Sequence, residues 1–254
     1  MFTPVMLHFF VHLIMCFHVA IKKSVVQLTK ELALLTPTNL LWQPAVHING
    51  FVHPQLPIVT QQLPHQLQLA QWGLVPSWVA TTEAATALQA LTLNAKAETV
   101  WDKPSFKESI ANQRCLIPVT GFYEWLTYQK QKYPHYIYVK QTELFCLAGI
   151  YSTWLHPTTK QVVQSCSILT TTANATMERI HNTKKRMPVI LHPTQYSSWL
   201  QPNITTELTV HLLQPYPDAE MGYHSIAQNF LAQSALQQTD NLLQEVAYPE
   251  LAFL

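Results

Sequence analysis

Between Arg114 and Thr170 the chain holds five short runs rich in β-branched, aromatic and aliphatic residues: Arg114–Pro118, Phe122–Tyr128, His135–Lys140, Leu144–Tyr151 and Val162–Thr170. Many strands at short spacing, with few helices between them, are expected to build a largely antiparallel sheet. Gln66–Trp72 alternates as a further strand, and Val189–Leu191 and Glu207–Leu213 also read as strands. Helical segments are fewer. Ser24 can cap a helix whose apolar positions Val25, Val26, Leu28, Leu32 and Leu35 fit helical spacing and which should stop near Pro37. Thr82–Leu91, Ala175–Ile180 and Pro193–Leu200 read as short helices, while the prolines and polar residues of 40–66 predict irregular loops. The pattern predicts an α+β fold: a single domain around a largely antiparallel, barrel-like β-sheet core with peripheral helices.

Composition narrows the chemistry. With 254 residues and 48% hydrophobic content the chain can bury a full core, and a net charge of +1 gives no global basic signature. Any contact with nucleic acid must rest on a local patch. The glycines Gly50, Gly73, Gly121, Gly149 and Gly222 are isolated, so no glycine-rich phosphate loop is available and no nucleotide cofactor is expected. Cys115, Cys146 and Cys166 lie inside apolar runs, as buried inert thiols do, and no cysteine spacing suits zinc. A reduced, cytoplasmic protein is expected.

Residues 1–14 do not fit this pattern. The stretch is apolar but too short to span a bilayer, it lacks the basic start of a secretion signal, and Met15 is too bulky for a lipoprotein cleavage site before Cys16. His8 and His12 have the i, i+4 spacing of a helical metal pair, yet no further ligands stand nearby, so no metal is expected. The simplest reading makes Met15 the initiator, residues 1–14 an upstream leader, and 15–254 the folded domain.

Four segments carry the functional signal: Met15-Cys16-Phe17-His18, Asn94-Ala95-Lys96-Ala97-Glu98-Thr99, Arg114 to Trp125 with its Gly121-Phe122-Tyr123-Glu124-Trp125 end, and Ile180-His181-Asn182-Thr183-Lys184-Lys185-Arg186-Met187-Pro188. In that order they resemble the SRAP family, the SOS-response-associated peptidase-like proteins, in recognisable blocks from Cys16 to about Leu200. The resemblance implies a protein that shields abasic sites in single-stranded DNA through an N-terminal cysteine, and that removes the residues before that cysteine itself. It implies that Cys16, Asn94, Glu124 and His181 form the catalytic set. Four residues separate His181 from Arg186-Met187-Pro188, a longer spacing than is commonest in the family.

The chemistry of these residues supports the implication. An N-terminal cysteine carries an α-amine of pKa about 8 and a thiol of about 8.5 on adjacent carbons. The amine condenses with the aldehyde of a ring-opened abasic sugar, and the thiol closes a five-membered thiazolidine. A mid-chain cysteine has no such amine. Glu124, flanked by aromatic residues, is expected to be desolvated and to shuttle protons with a raised pKa. Asn94 orients cysteine and sugar without adding charge, and His181 hydrogen-bonds the sugar or relays a proton.

DNA contact is expected from Lys184, Lys185 and Arg186 beside His181. Lys96 stands where the family commonly has arginine, keeping the charge without the bidentate fork. His18 follows the cysteine where arginine is usual and is a further expected contact. Gln71-Trp72-Gly73-Leu74-Val75-Pro76-Ser77-Trp78 resembles the family's Trp-Gly-Leu-x-Pro-x-Trp segment, and Trp72 is expected to stack on a base, with Trp78 in the core. The partner is single-stranded DNA containing abasic sites, with no membrane and the protein a monomer. Two other classes compete: a cysteine hydrolase with an N-terminal nucleophile acting on an amide, and a DNA-binding module in which Cys16 is merely packed.

Overall fold

The computed structural model describes residues 16–252. Residues 1–15, and with them His8, His12 and the expected junction before Cys16, lie outside the described part. From the N-terminal side, β1 (His18–Ile21) leads into α1 (Val25–Glu31), followed by β2 (Ala45–Asn49), β3 (Gln55–Thr60) and β4 (Leu67–Trp72). Next come α2 (Thr82–Gln89), the short β5 (Asn94–Lys96) and α3 (Lys107–Asn112). Consecutive strands then follow: β6 (Arg114–Val119), β7 (Gly121–Tyr128), β8 (Gln131–Val139), β9 (Phe145–Leu155) and β10 (Val162–Thr172). The C-terminal third contains α4 (Ala175–Ile180), β11 (Arg186–Pro188), β12 (Ile190–Leu191), α5 (Tyr196–Leu200), α6 (Thr206–Leu212), β13 (Met221–Ser225) and α7 (Phe230–Leu236).

Two sheets form. In one, β4, β3, β6, β9 and β10 pair in that order and β10 pairs back onto β4, closing a five-stranded barrel. Every pairing in the ring is antiparallel except β10 with β4. The other sheet is wholly antiparallel, in the order β13-β8-β7-β1-β2. The α+β, largely antiparallel, barrel-like core holds, although the series β6 to β10 is split between the sheets: only β7 with β8 and β9 with β10 pair as consecutive neighbours. Closure matters because β10 is long enough to change partners along its length. Its first part pairs with β9 and β4, and its end takes β5 and β11. Those last two carry Asn94 and Arg186.

Two segments depart from the sequence reading. Residues 40–66 are not irregular throughout, since β2 and β3 lie within them. The prolines mislead here: β3 meets β6 only at Val59 and Thr60, so at Pro57 that side of the strand has no partner and a missing N–H is tolerated. Residues 207–213 are helix rather than strand. Thr205 caps the helix by accepting from the Leu208 N–H, Thr209 and Leu212 face inward at helical spacing, and the apolar Leu208 and Val210 are exposed. Helix α1 has the expected Ser24 cap, completed by Gln27 as a capping box, but it ends at Glu31, with Ala33 in the left-handed region at φ 52°.

All four cysteines are free and buried. Burial pushes the thiols of Cys115, Cys146 and Cys166 up, which leaves them inert. Among the described residues no helix is long and apolar enough to cross a membrane.

Candidate active site

The site is assembled from both sheets. Cys16 immediately precedes β1, which is held between β2 and β7; the Phe17 carbonyl also accepts the Gly50 N–H at 2.8 Å. Glu124 lies on β7, directly across from His135 on β8. Asn94 lies on β5, a strand rather than a turn, where it pairs with Ile168 of β10. His181 ends α4, whose first turn is capped by Asn174. These four residues, far apart in the chain, are all nearly sealed from solvent: Cys16 is 2% exposed, Asn94 4%, Glu124 2% and His181 1%.

Their contacts form one arrangement. The Asn94 side-chain amide donates to the Cys16 carbonyl at 2.9 Å. His181 Nδ1 donates to the Arg186 carbonyl at 3.0 Å and lies 3.7 Å from Glu124 Oε1. With its proton committed to that carbonyl, the ring presents Nε2 as a lone-pair acceptor. Burial, opposed only weakly by the Trp125 N–H, pushes Glu124 up to about 8. Burial also lowers His181, against the help of the Arg186 carbonyl, and Arg186 and Lys184 lower it further. The Cys16 thiol is raised by burial and then by the nearby Glu124. The pair therefore rests at neutral pH as a carboxylic acid beside a neutral imidazole, not as an ion pair. A protonated acid, a neutral base and a thiol stand together without net charge.

Four buried polar atoms here have no partner among the described residues: Asn94 Oδ1, Glu124 Oε1, His181 Nε2 and Arg186 Nε. Unsatisfied buried groups are rare because each costs about 1–3 kcal/mol. Three belong to the expected catalytic residues, and the fourth to Arg186 on β11, an expected DNA contact. Such atoms suit a polar, oxygen-rich ligand that brings its own donors and acceptors.

The expected DNA contacts separate into groups. Lys96, Lys184 and Lys185 are exposed. Lys185 adopts a left-handed conformation, φ 52°, in the turn that starts at His181. Arg186 is different: its side chain is 12% exposed and is paired with Glu98. Three expectations need correction. Trp72 is a core residue, fully buried, with Nε1 donating to the Leu93 carbonyl at 2.8 Å, so it offers no face to a base. Trp78, expected in the core, is 55% exposed. His18 is also buried, 2.8 Å from His47 Nε2 through its Nδ1, and burial with the neighbouring His47 pushes it down to about 3. It is neutral at physiological pH and cannot act as a phosphate-binding cation. Phe51 is exposed, and its ring lies 4.6 Å from that of Phe17, the residue after Cys16.

The family model for SOS response associated peptidase (SRAP) matches residues 15–231, a span that contains every residue of this site. The chain belongs to the SRAP family. Its relatives include the abasic site processing protein YoqW of Bacillus subtilis, 36% identical over 68% of this chain and 74% of that protein. The abasic site processing protein HMCES of Xenopus tropicalis is 28% identical over 63% of this chain and 52% of its own length. A crystal structure of a Bacteroides thetaiotaomicron protein superimposes with a TM-score of 0.86 at 34% identity, covering 91% of this chain and all of that one. In this SRAP chain two polar residues inside the motifs had no role assigned from sequence. Glu98 pairs with Arg186, and Asn182 binds the backbone of Thr127 through both its amide oxygen and nitrogen, at 3.1 and 2.8 Å. Both lie within the motifs, but only the folded geometry identifies their partners.

Proposed function

We propose that the protein captures abasic sites in single-stranded DNA by forming a thiazolidine between Cys16 and the ring-opened sugar. The observation that carries this reading is the convergence of Cys16, Asn94, Glu124 and His181 in one buried site with unsatisfied polar atoms. The relatives named abasic site processing proteins point the same way. The residues before Cys16 must be removed first, because hydrolysis of the bond preceding it releases the α-amine the reaction needs.

The steps follow from the site. Ring opening of the sugar exposes the C1′ aldehyde and a C4′ hydroxyl, and the unpartnered His181 Nε2 accepts from that hydroxyl. The amine of Cys16 adds to the aldehyde to give a carbinolamine. Glu124, resting protonated, delivers its proton to the departing hydroxyl, which leaves as water, and takes back the nitrogen proton as the iminium becomes the imine. The Cys16 sulfur then bonds to the imine carbon while its proton passes to nitrogen, closing the ring. Asn94 holds the Cys16 carbonyl, fixing the cysteine through these steps.

The test is denaturing electrophoresis of protein starting at Cys16 after incubation with abasic single-stranded DNA. A denaturant-resistant species, absent with Cys16→Ala and with undamaged DNA, is expected. A hydrolase gives no protein–DNA bond, and a simple binding module gives only association that salt abolishes. Either result overturns the proposal.

A further inference from the structure

Arg186 reaches the site through its carbonyl, which accepts from the His181 ring, and the fold has already paired its side chain. Nη1 is held by the Glu98 carboxylate, and Nη2 donates to the Thr170 carbonyl at 2.7 Å and to its hydroxyl at 3.2 Å. The Thr170 carbonyl also accepts the Ala97 N–H at 2.8 Å, so β5's trailing chain and β11 are fastened to the same residue. The remaining side-chain donor, Nε, is buried and unpartnered. Glu98 itself is 45% exposed. Burial works against its charge, yet the hydrogen bond and charge of Arg186, assisted by Lys96, keep its carboxyl below the usual range. It is a carboxylate through the physiological pH range. By contrast Lys96, Lys184 and Lys185 are exposed, and among the described residues no hydrogen bond or ion pair engages their side-chain ammonium groups.

We infer that Glu98 is a specificity-determining residue: an internal counter-ion that neutralises Arg186 and limits the grip on undamaged single-stranded DNA. The inference deepens the proposed function and rests on it for its biological meaning. A phosphate can gain the solvent-facing edge of Arg186 only by displacing a carboxylate already bound there. Exchanging one anion for another gains little, and Glu98 also repels the strand. The three lysines are left to supply the sequence-independent attraction. Attraction to intact backbone accelerates no chemistry, since it binds damaged and undamaged strands equally. Restraining it shifts the balance toward strands that engage the buried acceptors with a ring-opened sugar, which is discrimination by difference.

The experiment measures binding of a lesion-free oligothymidylate by fluorescence anisotropy across a range of NaCl, with wild type, Glu98→Gln, Glu98→Asp and the double variant Glu98→Gln/Arg186→Gln. Single-stranded binding weakens with log salt at a slope of about 0.7 per phosphate contact. Glu98→Gln should bind roughly 3–10-fold tighter at low salt, with a slope steeper by about 0.7, as one more phosphate contact forms. Glu98→Asp keeps the charge and should follow wild type, and the double variant should lose the added slope. Unchanged or weaker binding by Glu98→Gln overturns the inference. So does a gain that persists in the double variant. No covalent step is involved, so failure of wild type to crosslink abasic DNA is a separate result, counting against the proposed function alone.

Discussion

Glu124 is a carboxyl group that the fold keeps protonated. Its pKa of about 8 has consequences for both rate and stability. As a general acid it is competent while protonated, so crosslinking should fall as pH rises through about 8. Glu124→Gln preserves shape but exchanges no proton, so the rate should drop about 10²–10⁴-fold and lose that pH limb while DNA affinity stays near wild type. Stability should move the other way. A folded-state pKa above the unfolded value near 4.5 means the group favours folding below 4.5, and this contribution is lost as pH rises through about 8. Glutamine has no such loss, so Glu124→Gln should become more stable than wild type above pH 8, by on the order of a few kcal/mol. Thermal melts at acid and alkaline pH check this; a constant gap between the two proteins would mean Glu124 titrates normally. The aromatic neighbours of Glu124 made its desolvation legible in the sequence. The fate of His18 was not legible, because its partner His47 lies on another strand. Nor was that of Trp72, since a linear motif records which tryptophans are present and not which one the barrel encloses.

The element that completes the site is the turn between α4 and β11. Its restraints include the His181 backbone N–H to Met177, the His181 ring to the Arg186 carbonyl, the Lys185 N–H to the His181 carbonyl, and the Asn182 amide across to Thr127 of β7. The last ties the histidine's turn to the strand that carries Glu124, three residues from the acid. Asn182→Ala removes both hydrogen bonds to Thr127 and should let the turn move away from β7. The expected outcome is crosslinking slowed about 10-fold or more, the scale on which small misplacement acts. Water entering beside Glu124 should also lower its pKa toward the ordinary range, a shift that carboxyl NMR reads without DNA. An unchanged titration and rate would reduce Asn182 to a surface link. At this scale the long barrel strands were legible because burial on both faces makes them nearly continuous apolar runs. The α6 segment was not, since a short alternating run fits strand and helix alike until its capping threonine is seen at work.

At the scale of the whole molecule, the nucleophile depends on the barrel through a short chain of contacts. Trp72 closes the end of β4 and is fully buried, and its ring lies so near Gly50 that a Cβ there would stand 3.0 Å from it. Gly50 in turn donates its N–H to the Phe17 carbonyl, one residue from Cys16. The indole therefore supports, through one glycine, the backbone that presents the cysteine. Trp72→Ala should cost about 3–5 kcal/mol, the usual range for emptying a buried aromatic site. That is a large share of a typical domain stability of about 5–15 kcal/mol. Trp78→Ala, at a 55% exposed position, should change stability by no more than about 0.5 kcal/mol. Denaturant melts of the two variants separate the roles that their shared motif conceals. Trp72→Phe adds a second measurement: it refills most of the space but leaves the Leu93 carbonyl without the indole N–H, one residue before Asn94. It should fold, melt below wild type, and crosslink more slowly, because the disturbance reaches both Asn94 and the strand leading from Cys16. Equal stability of the Trp72→Ala and Trp78→Ala proteins would mean that the barrel does not rest on Trp72 and that the nucleophile is held by its own sheet alone.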